Sequence, residues 1–487
     1  MRFEIGHGPE GPPIDRTVGR TGAVCLVCST PVPLAHVRAE GKSGRMAAQM
    51  MAIVAEGVRQ RVYLPPTEEH IAAADVPRPA DVPDTEIPYN PRYLTAPNYG
   101  MTRHADLFTN RQLTALMTLS DLVREARKRV TPDGAYADAV ATYLALAISR
   151  TADYGSSITS WASHPKQEAI RNTFSRQAIP MVWDFGEANV FGEATGDWHD
   201  NVGWVAKVVD RLAADPPGFV RQVDATAVNI PNALFSTDPP YYDNVGYADL
   251  ADFFYIWLRR SLQDVHPDLL GTVLTPKSAE LVADPVRTAG DAQAAKRRFE
   301  EGFGRAFAQF RQAAVPDIPM TVFYAFKQAE SGGEGTVSTG WETMLEGLLR
   351  AGLSVTGTWP MRTERGARMR DIGSNALASS IVLASRPRLS SAGIIDRRGF
   401  VAGLKSELPD ALRKLQQGSI APVDLAQAAI GPGMAVFSRY AKVVEPNGES
   451  MRVRTALGLI NQVLGEVLTE QEGEFDPDTR WAIRWFE

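Results

Sequence analysis

The run Phe235-Ser236-Thr237-Asp238-Pro239-Pro240-Tyr241 puts an acid, two prolines and an aromatic ring at the end of a short apolar stretch. Those residue types, in that order, suit an exocyclic amine on a planar ring. The Asp238 carboxylate can accept one amine hydrogen, and the Pro239 carbonyl can accept the second. Pro239 and Pro240 fix the turn and bring no N–H that would compete for that carbonyl. Tyr241 can stack on the ring face, where offset stacking adds about 0.5–1.5 kcal/mol beyond the buried area. An aromatic amine is a weak nucleophile because its lone pair is delocalised into the ring. Two acceptors aimed at its hydrogens favour a pyramidal nitrogen that can attack a methyl group, a case of preorganised dipoles acting at the reacting atom. A base inside a duplex reaches such a pocket only when it is flipped out of the stack. The plainer alternative is a proline-rich turn after a buried strand, with its tyrosines packed on the next helix.

Chemistry of this kind needs a strand that ends at Asp238, because open α/β sheets hold ligands at the carboxyl ends of their strands. Beyond residue 215 the pattern supplies one. Phe219–Ala225, Ala233–Asp238, Met320–Phe326, Leu353–Met361 and Ser379–Pro387 are short β-branched or aromatic runs. Helical stretches such as 294–314 and 340–352 lie between several of them, which predicts a wound α/β sheet whose last two strands are antiparallel neighbours. Asp224 and Ala225 end the run fourteen positions before Asp238. An acid at that neighbouring strand tip can accept from the exocyclic amine of a bound adenosyl group.

Five segments follow from composition. Residues 1–64 read as short strands around Cys25 and Cys28 with a helix over "GRMAAQMMAIVAEG", and 65–100 as a proline-rich extended arm or linker. Residues 101–214 are a helical region that opens on Thr109 and Gln112, a capping-box pair, with Leu113, Leu116, Met117 and Leu119–Val123 on one face. Residues 215–390 form the α/β region, and 391–487 are mostly helical with a break expected at "AIGPGMAVFSRY". The 487 residues, 44% hydrophobic and 22% charged, are those of an ordinary globular protein of several domains. A net charge of -6 excludes a global basic field, so any nucleic-acid contact rests on local patches. No apolar run reaches the length of a membrane span, the N-terminus lacks a signal-peptide core, and a cytoplasmic location is expected.

The stretch "VDATAVNIPNALFSTDPPYYDN" resembles motifs III and IV of S-adenosylmethionine-dependent amino-methyltransferases. Longer blocks extend the likeness along nearly the whole chain: "CLVCSTPVPLAHVRAEGKSGRMAAQMMAIVAEG", "IRNTFSRQAIPMVWDFGEAN", "STDPPYYDNVGYADLADFFYIWLRRSL", "SNALASSIVLASRPR" and "LQQGSIAPVDLAQAAIGPGMAVFSRY". Together they are similar to the C-terminal half of the Zn-ribbon-containing adenine-specific DNA methylase family, often found in prokaryotic defence gene clusters. The resemblance implies an incomplete Rossmann-like S-adenosylmethionine-dependent methyltransferase sheet with helical insertions and a small N-terminal Zn-ribbon-like remnant. It implies N6-adenine methylation of DNA, with Asp238, Pro239, Pro240 and Tyr241 at the target base and Asp224 and Ala225 at the cofactor. Related motifs also serve enzymes that methylate RNA guanine or a protein glutamine, but the extended blocks favour DNA adenine.

The family's glycine-rich cofactor loop, of the form D-P-F-x-G-x-G, is absent from this chain. "VFGEATGDW" around Gly192 and Gly196 reads as a surface loop, and "GKSGR" at Gly41–Arg45 lacks the leading glycine of a P-loop. The sheet is therefore expected to lack strands beside the one carrying Asp238, an exposed edge that folded proteins avoid. A partner polypeptide supplying the loop, other subunits of a defence complex, a truncated product and a local repair of the sheet all remain open. Cys25 and Cys28 make half a zinc knuckle, since structural zinc takes four ligands. The resemblance places the other pair before residue 1; His7 and His36 are further candidates, and reduced thiols the plain alternative. Arg362, Arg365, Arg368 and Arg370, with Arg259 and Arg260, are candidate phosphate contacts. Phe253, Phe254, Tyr255 and Trp257 are expected to pack a helix rather than stack on bases. A non-catalytic DNA-recognition or scaffold subunit is the competing functional class.

Overall fold

The computed structural model describes residues 5–6, 17–19, 21–58, 60–130, 134–162, 168–212, 215–240, 246–324, 339–361, 380–417 and 422–473. Its contacts gather the chain into two units, the first holding Met1–Gln222 with Val245–Glu280 and the second Val223–Asn244 with Leu281–Glu487. The helix after the Asp238 loop thus groups with the arm and the early helices, whereas composition had placed it in the α/β segment.

The first unit begins with a hairpin of β1 (Gly22–Val24) and β2 (Pro31–Pro33), then helix α1 (Leu34–Lys42). A second hairpin follows, β3 (Ile53–Gly57) on β4 (Gln60–Leu64), paired from Ile53↔Leu64 to Gly57↔Gln60. The helix expected over Gly44–Gly57 is therefore a correction: it lies earlier. Ile53, Ala55 and Gly57 alternate half-buried with exposed Val54 and Glu56, and a paired strand uses that period where a helix cannot. Gly41–Arg45 is the end of α1, not a phosphate loop. A Cβ on Gly41 would stand 2.2 Å from the Tyr99 carbonyl oxygen, so this glycine serves a backbone-to-backbone approach.

The arm carries a short helix, α2 (Glu68–Ala74), and then runs extended. It is not a free linker, because Ile87, Tyr93, Leu94, Ala96 and Tyr99 are buried. Thr95 N donates to Ile179 O at 3.0 Å and Ile179 N to Tyr93 O at 2.8 Å, which fastens the arm to the chain near Ile179. Helices α3 (Asn110–Arg129) and α4 (Gly134–Tyr154) follow, then a hairpin of β5 (Ser160–Ala162) and β6 (Ala169–Arg171), and α5 (Trp198–Val209). The expected cap is present: Thr109 N donates to Gln112 Oε1 at 2.8 Å, and Gln112 N to Thr109 Oγ1 at 3.2 Å. Helices α6 (Tyr247–Leu262) and α7 (Pro267–Leu270) complete the unit. Phe253 and Trp257 of α6 are fully buried, each with its ring centroid 5.3 Å from that of Phe108. They pack the core, and burial of each contributes roughly 1.5–3 kcal/mol.

In the second unit, β7 (Ser236–Thr237), helix α8 (Ala292–Ala313), β8 (Met320–Tyr324), α9 (Thr339–Arg350), β9 (Leu353–Met361) and β10 (Ser380–Pro387) build a four-stranded sheet in the order β7-β8-β10-β9. Strands β7 and β8 are parallel, with Ser236 opposite Thr321 and Thr237 opposite Val322. Strand β10 runs antiparallel to both β8 and β9, the pairing that the spacing of the last two runs predicts. Residues Ser380–Ser385 are all buried. Successive strand residues face opposite ways, so both faces of β10 are covered. The aromatic stripe Phe299, Phe303, Phe307 of α8 joins Met344, Leu345 and Leu348 of α9 in that core. Phe219–Ala225 is a correction, for it forms no strand. Phe219 and Val220 are each 87% exposed, and without a neighbour to satisfy its backbone an apolar run does not become a strand.

A short parallel pair, β11 (Ile394–Asp396) and β12 (Lys442–Val444), and helices α10 (Arg397–Gln417), α11 (Pro422–Ser438) and α12 (Val453–Gly473) complete the unit. The break expected at Gly431-Pro432-Gly433 does not occur; α11 runs through it. Pro432 has no N–H to give the Ala428 carbonyl four residues back. Thr358 of β9 takes that place, donating from Oγ1 to Ala428 O at 2.8 Å. Gly431 permits the approach, since a Cβ there would lie 1.9 Å from Thr358 Oγ1. Thr358→Val should leave a buried carbonyl unsatisfied and destabilise this unit by ~1–3 kcal/mol in urea unfolding; an unchanged midpoint would contradict the assignment. Among the described residues no helix is long and apolar enough to cross a membrane.

Candidate functional site

Asp238 follows directly on β7, at its C-terminal end. The strand is short but well anchored. Ala233 N donates to Ala313 O at 2.9 Å, Thr321 N to Phe235 O at 2.9 Å, and the Phe235 ring stacks on Phe310 of α8 at 4.7 Å. The carboxylate at the end of this rigid stem is exposed, and no hydrogen bond or ion pair from a described residue reaches it. Partial removal from water raises its pKa above the ordinary carboxylate value. Pro239 and Pro240 are half-buried beside it. Tyr241, the expected roof, lies outside the described residues, as do Arg362, Arg365, Arg368 and Arg370.

Strand β7 is an edge. Its far side pairs with no described strand, and Val223, Ile230 and Leu234 nearby in sequence are 59%, 50% and 62% exposed. Asp224 does not end a strand, which corrects the expectation. It caps a 3-10 turn, Ala225–Ala227, by accepting from Thr226 N on Oδ1 at 2.8 Å. A short acid favours that local turn where no ladder competes. The turn packs on α8, the helix that also holds Phe235, so Asp224 and Asp238 hang from one support.

Cys25 and Cys28 occupy the tip of the β1–β2 hairpin. Ser29 N donates to Cys25 O at 2.8 Å, and Ser29 takes a left-handed φ of 56° to close the loop. The hydrogen bond from the Thr30 hydroxyl region leads the effects that lower the Cys28 thiol pKa, with Cys25 contributing. Two thiols on a tight loop, one inclined toward thiolate, fit two corners of a tetrahedral soft-cation site. Among the described residues no third ligand joins them.

Clefts lie elsewhere among the described residues. One of ≈ 450 Å³ in the second unit is lined by charges that neutralise one another, including Arg454 on Glu342 at 2.7 Å. Another, ≈ 380 Å³ in the first unit, borders Arg124, Arg259 and Arg260. Arg260 is committed to Asp81 at 2.7 Å and Asp121 at 3.0 Å, which removes it as a phosphate contact. Gly196, in the glycine-bearing loop, has φ 98° and leads into Asp197, the cap of α5; the segment, expected as a surface loop, is a turn that leads into a helix, with Gly196 and Asp197 buried.

Sequence reasoning missed a polar cluster in the first unit. Asp252 of α6 is fully buried, its Oδ2 lying 2.7 Å from Lys277 Nζ and its Oδ1 accepting from Thr275 N at 2.9 Å. The Thr275 hydroxyl is 2.5 Å from the same Oδ1 and 2.6 Å from Ala248 O. Glu280 accepts from Ala248 N at 3.0 Å, and Tyr93 donates to Asp249 at 2.7 Å. His104 lies fully buried, its Nδ1 2.9 Å from the Thr85 hydroxyl; burial lowers its pKa against the opposing pull of Asp252. The available signal was the pair Asp249 and Asp252, three residues apart on one face of a helix otherwise rich in aromatics. Comparison of the chain with protein-family models, with curated proteins and with solved structures found no match.

Proposed function

We propose that this chain is the target-base half of an S-adenosylmethionine-dependent N6-adenine DNA methyltransferase. The observation that carries the reading is the acid-Pro-Pro run at the C-terminal end of β7, a strand parallel to β8, with the Asp238 carboxylate unpaired and exposed. In that role Asp238 and the Pro239 carbonyl hold the two amine hydrogens of a flipped adenine, Pro240 stiffens the turn, and Tyr241 stacks on the ring. S-adenosylmethionine supplies the methyl group. That methyl group would pass to N6 of the flipped adenine, and the Asp238 carboxylate would take the amine proton and hand it to water. Asp224 keeps Oδ2 for the adenosyl amine while Oδ1 caps its turn, with Ala225 beside it. Arg362, Arg365, Arg368 and Arg370 contact DNA phosphates. Cys25 and Cys28 hold a structural zinc together with ligands from elsewhere.

Ligand crevices of open α/β sheets lie between neighbouring strands, and β7 has a described neighbour on one side only. We read the sheet as an incomplete Rossmann-like one, with a protein partner adding strands beside β7 and the glycine-rich cofactor loop that the sequence lacks. That same absence favours one second reading, a non-catalytic DNA-recognition or scaffold subunit of a phage-defence complex. The protein belongs in the cytoplasm on either reading. Purified chain alone should transfer little or no radiolabelled methyl to DNA, and chain co-purified with the products of its neighbouring genes should transfer it. Full activity without a partner would overturn the split-enzyme reading; DNA binding by the assembled complex with no transfer would favour the scaffold.

A further inference from the structure

The end of the second unit's sheet that lies away from Asp238 carries an unbalanced positive charge. Strand β10 runs antiparallel to β8, with Ser385 opposite Met320, so Arg386 and Arg388 stand where β8 begins, whereas Asp238 follows the C-terminal end of the parallel β7. Arg388 N donates to Gly352 O at 2.8 Å, and its Nη2 donates to Leu349 O at 2.9 Å and Leu353 O at 3.2 Å. That is the work of a cation closing the C-terminal end of α9. One arginine suffices for it, yet a second lies against the same glycine. Gly352 has φ 80°, and a Cβ there would stand 3.1 Å from Cζ of Arg311, the exposed arginine in the last turn of α8. Among the described residues no hydrogen bond or ion pair reaches Arg311, and Arg388 keeps a buried Nε without an acceptor. Glu346 of α9 is committed to Arg350 at 2.9 Å, and Asp317 gives Arg386 its backbone carbonyl, at 2.7 Å, with no ion pair. Burial first, and then the Arg311 charge, lower the Arg388 pKa, as like charges do with no anion between them.

We infer that Arg311 and Arg388, with Arg386 two residues earlier on β10, form a binding site for a phosphate monoester, free or at the end of a nucleic-acid strand. The charge selects this class. A carboxylate brings one charge and two oxygens, which a single guanidinium fork satisfies. A phosphate monoester brings about −1.5 to −2 charges and three acceptor oxygens, enough for two forks. Planar guanidinium groups also match its geometry better than ammonium groups do. The site does not rest on the reading of Asp238.

The test uses the full chain and oligothymidylate labelled with fluorescein at its 3′ end, carrying either a phosphate or a hydroxyl at its 5′ end. Anisotropy compares the two strands, and equilibrium dialysis measures inorganic phosphate separately. Wild type should bind the 5′-phosphorylated strand about 10-fold more tightly, the worth of one charge-assisted contact. Arg311→Gln, whose side chain is exposed and bears no tie, should keep the thermal midpoint and lose that difference. Arg350→Gln removes a neighbouring arginine already engaged by Glu346, and should keep it. Equal binding of both strands, with inorganic phosphate held about 10-fold more tightly by wild type than by Arg311→Gln, assigns the site to a free phosphate. Equal binding of both strands and of phosphate by wild type and Arg311→Gln overturns the inference. So does a preference that survives in Arg311→Gln, or one lost equally in Arg350→Gln, which reports surface charge alone.

Discussion

Asp238→Ala is expected to lower methyl transfer by the partnered protein ~10²–10³-fold, the loss seen when one preorganised group at a reacting atom is removed. The drop should fall on kcat more than on KM. The stem beneath Asp238 does not depend on its side chain, because Phe235, Ala233 and Ser236 are held by Phe310, Ala313 and the Thr321 region. The fold should therefore survive, and the thermal midpoint of the second unit should move little. Asp238→Asn keeps one acceptor oxygen and should retain more activity than alanine does. The pH profile adds a separate check. Desolvation raises the Asp238 pKa, so the proton-accepting carboxylate should be lost on acidification at a pH above the ordinary aspartate range. Wild-type transfer by the alanine variant would reduce the acid to a turn residue.

How far the sequence could be read depended on whether each segment's partners lie within the chain. Helix α3 was legible because its start depends on Thr109 and Gln112, three residues apart in one turn. Strands β9 and β10 were legible because they pair with each other across a short connection. Phe219–Ala225 was misread as a strand because its composition suits a ladder that has no described neighbour. The segment at Gly431-Pro432-Gly433 was misread for the opposite reason. Its helix-breaking chemistry is real, but Thr358, 74 positions earlier than Pro432, supplies the missing donor and the glycines make room for it. The candidate site followed the same rule. The acid and prolines that bear the chemistry could be read locally, whereas Thr275 and Lys277, the partners of the buried Asp252, stand 23 and 25 positions after it, and the local signal was the pair Asp249 and Asp252 alone.

Lys277→Met alone should destabilise the first unit by about 3–5 kcal/mol. The substitution removes a cation and leaves the Asp252 carboxylate, fully buried, facing an apolar thioether. Thr275 still offers Oδ1 its backbone N–H and its hydroxyl, but neutral hydrogen bonds do not compensate a buried charge. The Asp252→Leu/Lys277→Met pair, by contrast, removes charge and countercharge together. Its stability should return to within about 1–2 kcal/mol of wild type, because the desolvation penalty disappears with the attraction. The cycle of single and double variants therefore separates two quantities that one variant confounds: the penalty of an orphaned charge and the net worth of the pair. Urea unfolding followed by hydrogen exchange of α6 amides reads the first unit apart from the second. A single variant as stable as wild type would mean that water reaches Asp252 and that residues 275–280 do not seal the first turn of α6. A double variant as unstable as the single would mean that the pair itself holds the helix.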